Sequence, residues 1–289
     1  MTAHARQNAT VRVGLAQMDC QLGEVATNLA RAAELNAQVR ARGADLVVFP
    51  ELVITGYCKS EVGAELPMAP DDERLAELAG DGSAVIGFVE RPCYNAAAWW
   101  VDGRLCHVQR KLFLPMYGPW QEAKVFDSGD QLRVVDGIAI LICNDAWHPA
   151  LVELAVRRGA EVLVVIANSA RNDLVDNPST WRDITRFYAR LFQVWVVFVN
   201  RVGSDSGFSF WGGSHVVDFD GRVVVEAPED VESAVTADLD MEALRRRRRE
   251  LPLLDHPRLD VLAEGFNDLV AGLEPSGSGA QTSVASGDA

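Results

Sequence analysis

Residues 138–169 read IAILICNDAWHPALVELAVRRGAEVLVVIANS. Ile138–Ile142 and Val162–Ala167 are uninterrupted apolar runs of strand length, and Ala150–Arg158 between them reads as an amphipathic helix. Strands apolar at every position belong in a sheet covered on both faces, because an alternating pattern would be expected if one face met water. Each of the two strands runs into polar residues, Cys143-Asn144-Asp145 after the first and Asn168-Ser169 after the second. In layered α/β proteins, reactive groups collect just beyond the carboxyl ends of strands. This stretch therefore predicts both the architecture and one place to look for chemistry.

The same alternation continues outward. Upstream, Val11–Gln17 reads as a strand, Glu24–Ala41 as a helix ending at Gly43, and Asp45–Phe49 as a buried strand closed by Pro50. Asp71–Ala79 suits a short helix. Ala84–Glu90, Ala96–Val101 and Leu105–Gln109 read as strands, the last two joined at Asp102-Gly103, a strong hairpin signal. Downstream, Thr180–Gln193 reads as a helix and Val194–Asn200 as a strand. His215–Phe219 and Arg222–Val225 flank a second hairpin turn at Asp220-Gly221. Ala234–Asp238 is a final strand before a helix at Met241–Arg249. The pattern predicts a layered α/β domain over residues 11–270. Residues 1–10 are expected to be a flexible leader and residues 271–289, small and polar in PSGSGAQTSVASGDA, a disordered tail.

The chain has 289 residues with 27 basic and 41 acidic side chains, a formal net charge of −14. That balance argues against nucleic acid as a partner, since binding it takes a basic face that displaces counterions. No apolar run approaches the length of a membrane span, and Met1–Ala9 lacks the apolar centre of a signal peptide. A cytoplasmic location with no membrane partner is expected. Five cysteines, at 20, 58, 93, 106 and 143, form no CxxC pair, and five scattered histidines show no metal spacing, so no metal and no disulfide framework is expected. No GxGxxG follows the first strand, which leaves no dinucleotide site and no cofactor to expect.

Three chemistry-bearing residues stand at strand ends: Glu51 after Phe49-Pro50, Lys111 after the second hairpin strand, and Cys143. A thiol is a useful nucleophile only when a base or a cation stands beside it. Cys20, Cys58, Cys93 and Cys106 are read instead as small buried hydrophobes. A papain-like pairing of Cys143 with His148 or His215 is the weaker alternative. Serine chemistry has no GxSxG to stand on, because Gly203–Gly207 carries aspartate at the central position. The run Arg245–Arg249 reads as a solvated helix end, where cations are favoured.

These segments together resemble the nitrilase superfamily of carbon–nitrogen hydrolases. They are Phe49-Pro50-Glu51-Leu52 with Thr55-Gly56-Tyr57, Arg110–Pro115, Leu141–Asp145, Asn200–Gly203 and Gly212-Gly213-Ser214. The resemblance implies a four-layer αββα sandwich, pairing as a homodimer or higher homo-oligomer into αββα-αββα. It implies a Glu51-Lys111-Cys143 triad, with Glu122 as an assisting carboxylate, that cleaves a small amide through a Cys thioester. The nucleophile segment Cys143-Asn144-Asp145 is similar to amidase and carbamoylase branches, whereas nitrile hydrolysers tend toward Cys-Trp-Glu. Thr55-Gly56-Tyr57 and Leu114–Gly118 are similar to glutaminase domains of glutamine-dependent NAD synthetases. That similarity implies a substrate pocket of Tyr57, Tyr117, Trp120, Asn144, Trp147, Ser169 and Arg171, the last two meeting a glutamine-like polar end. A primary amide is the expected substrate, an N-carbamoyl compound the alternative, then a nitrile, with an ammonia-accepting enzyme as a partner. A scaffold that keeps the fold without turnover is the non-enzymatic alternative.

Overall fold

Strand β2 (Leu46–Val48) is buried along its whole length, and its two faces serve two different cores. A computed structural model of the chain describes residues 9–57, 63, 66–205, 207–255 and 257–273. In it β2 lies inside a six-stranded sheet, between β1 (Thr10–Gln17) and β3 (Ser83–Glu90) and parallel to both. β15 (Ser233–Asp240) flanks β1, and the hairpin of β4 (Tyr94–Val101) and β5 (Arg104–Arg110) flanks β3. A second six-stranded sheet has parallel β7 (Ile138–Ile142), β8 (Val162–Ala167) and β10 (Trp195–Asn200) at its centre. Antiparallel β6 (Val134–Val135) closes one side of it, and β13 (His215–Val217) with β14 (Val223–Glu226) closes the other.

The two sheets face each other. Leu15, Leu46, Val48, Val85 and Trp99 from the first meet Ile140, Ile142, Val164, Val197 and Val216 from the second. Val47, pointing the other way from its neighbours in β2, packs with Ala16, Ile86 and Ala98 under two helices. These are α1 (Val25–Ala41), through Ala32, Leu35 and Val39, and α2 (Glu73–Ala79), through Leu75. On the outer side of the second sheet run α3 (Pro149–Arg157) and α4 (Asn177–Phe192), where the Trp181 ring lies 4.7 Å from that of Phe198. The order is helix, sheet, sheet, helix, the four-layer αββα sandwich that the nitrilase-superfamily resemblance implies. Each fully buried aliphatic side chain in these layers contributes roughly 1.5–3 kcal/mol.

Both hairpin turns form as read. Asp102 and Gly103 adopt φ of 49° and 69°, the paired left-handed conformations of a type I′ turn. At the other turn the Asp218 carboxylate accepts from the N–H groups of Asp220 and Arg222.

A three-stranded sheet of β9 (Ala170–Arg171), β12 (Phe208–Trp211) and β11 (Val202–Asp205) was not legible, being short and polar in places. The chain divides into two units, one ending at Leu253 and one beginning at Leu254. The first unit closes with α5 (Met241–Glu250), capped by the Asp240 carboxylate on the Ala243 N–H. Its arginines are more engaged than a solvated helix end: Arg245 pairs with Glu161 at 2.8 Å, and Arg248 donates to the Gln193 and Ala160 carbonyls. The second unit contains α6 (Leu259–Leu273), within the stretch expected to belong to a single domain.

Cys20 is buried as expected, but Cys106 is exposed on edge strand β5 and Cys93 is only partly covered. Cys58, most of the leader and the tail beyond Leu273 lie outside the described residues. Among the described residues, no helix is long and apolar enough to cross a membrane.

Candidate active site

The carboxyl ends of β2, β3, β7, β8 and β10 lie at one end of the sandwich, and two chain reversals bring the end of β5 to the same place. Glu51 follows β2, Lys111 follows β5, Cys143 follows β7 and Asn168 follows β8. Sheet topology alone therefore gathers them.

Lys111 is wholly buried between two carboxylates, its Nζ 2.8 Å from Glu51 Oε1 and 2.7 Å from Glu122 Oε2. Burial alone would lower its pKa, but Glu122, Glu51 and Cys143 outweigh that and hold the ammonium well above its ordinary range. Glu51 Oε1 also accepts from Asn95 Nδ2 at 2.7 Å, and Oε2 accepts from the Asn168 backbone N–H at 2.6 Å. Glu122 stands on a short 3₁₀ turn (Glu122–Lys124) and takes the Tyr57 hydroxyl at 2.9 Å. Burial, reinforced by Glu51, raises the Glu122 carboxyl despite the opposing pull of Lys111.

Cys143 sits on a sharp bend, at φ 49°, where the strand gives way to a turn of 3₁₀ helix (Cys143–Trp147). A non-glycine residue held there costs on the order of 1–3 kcal/mol and needs support. Asp145 supplies it. Its Oδ2 accepts from the Ile142 N–H, and its Oδ1 from the N–H groups of Leu112 and Phe113, at 2.8–3.1 Å. One carboxylate thus ties the cysteine bend to the segment that follows Lys111. Its own pKa is pushed by burial up to about 7, against the pull of those same N–H groups. The thiol of Cys143 is pushed well above the ordinary cysteine value, first by burial and then by Glu51, while Lys111 and the Asn168 N–H oppose. The resting thiol is therefore protonated beside a carboxylate and a cation.

A cavity of about 590 Å³ opens onto this cluster, with Glu122 and Cys143 on its wall. Of the residues expected to line it, Tyr117, Trp120, Asn144, Trp147 and Ser169 do. Asn144 donates to the Phe113 carbonyl and accepts from the Tyr117 hydroxyl, and Ser169 Oγ takes the Trp181 indole N–H. Two expectations are corrected. Tyr57 is buried off the cavity wall against Phe208 and Phe210, and serves by holding Glu122. Arg171 points away: in β9 Ala170 faces inward and Arg171 outward, paired with Glu229 at 2.7 Å and Asp230 at 2.9 Å. Among the described residues, neither His148 nor His215 is hydrogen-bonded to Cys143 as a papain-like pair would be. His215 is buried against Thr185, and the His148 ring stacks 3.6 Å from that of Phe113.

Three site residues were not assigned from sequence. Asn95, a polar residue at the start of an otherwise apolar strand, carried a signal. Asn168 was noted only as a strand end, yet both polar atoms of its buried carboxamide lack a protein partner. Gly87 carried none: a Cβ there would stand 2.4 Å from the Pro50 carbonyl and 2.6 Å from the Leu52 N, so only glycine lets the Glu51 bend cross β3.

The carbon-nitrogen hydrolase family model matches residues 12–249. The chain belongs to the carbon-nitrogen hydrolase family. It is 30% identical over 283 residues to a glutamine-dependent NAD(+) synthetase of Thermotoga maritima, covering 92% of this chain and 49% of that protein. It is 26% identical over 269 residues to an N-carbamoylputrescine amidase of Arabidopsis thaliana, covering 82% and 89%. The solved amidase from Nesterenkonia sp. superposes with a TM-score of 0.71 at 26% identity, covering 83% and 94%. The chain thus spans about half the length of the NAD synthetase and most of the length of the two amidases. Glu51, Lys111, Glu122 and Cys143 thus bring a thiol, two carboxylates and a fixed ammonium together beside one cavity. Among the described residues no cluster of His, Cys, Asp and Glu gathers to hold a metal ion.

Proposed function

We propose that this carbon-nitrogen hydrolase cleaves a small primary amide to the acid and ammonia through a thioester on Cys143. The observation that carries the reading is Lys111 locked between Glu51 and Glu122 beside the Cys143 thiol.

In the reaction, Cys143 Sγ attacks the amide carbon as its proton passes to Glu51. The high thiol pKa favours this concerted step over a preformed thiolate, because burial and two carboxylates penalise a third negative charge. Lys111 stabilises the oxyanion, a role suited to a permanently charged, immobile donor. Glu51 returns its proton to the leaving nitrogen, the C–N bond breaks, and ammonia departs. Water then gives a proton to Glu51 and attacks the thioester, and the acid leaves as the thiol takes its proton back. Glu122 holds Lys111 in place throughout. An N-carbamoyl substrate would follow the same steps, with carbon dioxide as a further product, and is the second reading, favoured by the likeness to an N-carbamoylputrescine amidase.

Ammonia release from short amides, glutamine, N-carbamoyl amines and nitriles, with Cys143→Ala as the blank, tests the reading. Release from amides that the variant abolishes is the expected result. Release only from nitriles, or release that survives the substitution, would overturn it.

A further inference from the structure

The cavity wall changes character with depth. At its inner end Glu122 and Cys143 stand close to Asn168, whose carboxamide offers two donors and an acceptor to no protein partner. Leaving such a group unpaired in a closed site is costly, and a neutral amide or hydroxyl of a bound molecule would satisfy it. The rest of the wall is mostly apolar, with Phe113, Met116, Trp120, Trp147 and Leu174 among it, and its polar members, such as Ser128, Asn172 and Asn177, are uncharged apart from a few ionisable groups. At the mouth, Met116, Tyr117 and Leu174 are 47%, 51% and 66% exposed, an apolar rim open to an incoming molecule. A Cβ on Gly118 would stand 2.9 Å from the Leu174 side chain, so the two loops that carry this rim meet closely.

Charge on the wall is scarce. Among the described residues its ionisable side chains are Tyr117, Glu122, Cys143 and His148. Glu122 is committed to Lys111, and burial lowers the His148 pKa, which leaves a neutral imidazole at pH 7. Arg171, the cation nearest in sequence to the Ser169 wall, is tied to Glu229 and Asp230. Neither an amino-acid carboxylate nor a polyamine ammonium finds a free counter-charge on the described wall. An unpaired charge brought into such a site pays desolvation with nothing returned.

We propose that this pocket selects an uncharged carboxamide with an apolar, ring-sized tail over amides with a charged amino-acid or polyamine end. This rests on the amide-hydrolase reading above and names its substrate class.

The test compares kcat/KM for ammonia release from 3-phenylpropionamide, acetamide, glutamine and N-carbamoylputrescine, using the full chain. In parallel, calorimetry measures the binding of 3-phenylpropionamide and of glutamine to Cys143→Ala. The aryl amide should exceed each charged compound by about 10- to 200-fold, the discrimination one apolar group earns in a fitted pocket. Leu174→Asp, at an exposed position, should shrink the ratio of aryl amide to acetamide about tenfold. Glutamine or N-carbamoylputrescine turned over as well as the aryl amide would overturn this inference and leave amide hydrolysis standing. Silence from every amide, with the aryl amide still bound preferentially by Cys143→Ala, would sink the hydrolase reading and keep the pocket assignment. Silence with no preferential binding would sink both.

Discussion

Replacing Lys111 by methionine keeps most of the side chain's volume and removes only the charge. At 2.8 Å and an effective dielectric constant near 20, each ion pair is worth about 332/(20 × 2.8), roughly 6 kcal/mol before desolvation. Desolvation of three buried charges cancels much of the two-pair total, so the net worth of the cluster is far smaller. What the substitution does is leave two carboxylates in a closed site with no cation between them. Breaking a buried pair in this way costs about 3–5 kcal/mol, or on the order of 10 °C in melting temperature for a domain of this size. One of the carboxyls must then hold a proton in the folded state, with its pKa raised. A raised folded-state pKa gives stability that is full at low pH and lost as pH rises through it. The Lys111→Met deficit should therefore be larger at pH 8 than at pH 5. Adding Glu122→Gln removes one of the two stranded charges and should recover more than half of the loss. Urea unfolding of the wild type, the single variants and the double variant at both pH values measures this directly. A deficit under about 1 kcal/mol, or one that ignores both pH and Glu122→Gln, would refute the buried-cluster reasoning.

Other perturbations have definite expected outcomes. Gly87→Ala forces a methyl into the Pro50–Leu52 backbone, so it should destabilise by about 1–3 kcal/mol and lower kcat about 100-fold by displacing Glu51; wild-type kcat in a folded variant would contradict the assigned role. The Cys143 thiol, raised above its ordinary pKa, should be alkylated by iodoacetamide at a rate still climbing beyond pH 8.5, as followed by peptide mapping, and a plateau below pH 8 would oppose this. His215, buried with its pKa lowered to about 4, takes up its proton more readily when unfolded. The stability advantage of the wild type over His215→Gln in urea titrations should thus shrink as pH drops from 6.5 toward 4, by up to roughly 1.4 kcal/mol per pH unit, while Asp145, raised to about 7, contributes the opposite slope to both proteins.

Much of this site is legible because buried strands announce themselves. An apolar run that stops at Glu51 or Cys143 marks a carboxyl end, and a parallel sheet aligns such ends in space whatever their distance along the chain. Lys111 was legible for the same reason, at the end of a hairpin whose Asp102-Gly103 turn fixes its direction. What escaped depends on direction rather than identity. Arg171 lies two residues from Ser169, but pleating sends it to the outer side, into the Glu229 and Asp230 pair. Tyr57 touches the site from behind Glu122, a placement set by packing on Phe208 and Phe210 from a sheet too short and too polar to see in sequence. Gly87 matters through the space it leaves, and an absent side chain leaves no pattern. α6 could have been read from Leu259, Leu262, Phe266 and Leu269 at helical spacing, although nothing in that spacing says what the helix packs against.

The central claim is that the amide carbon becomes bonded to Cys143. Acid-quenching the enzyme during turnover of an amide, then weighing the intact chain and its Cys143 peptide, tests it most directly. The account predicts a mass gain equal to the acyl group less one hydrogen, on that peptide alone and absent from Cys143→Ala. Ammonia release that continues in Cys143→Ala, or an acyl group found on another residue, would contradict it.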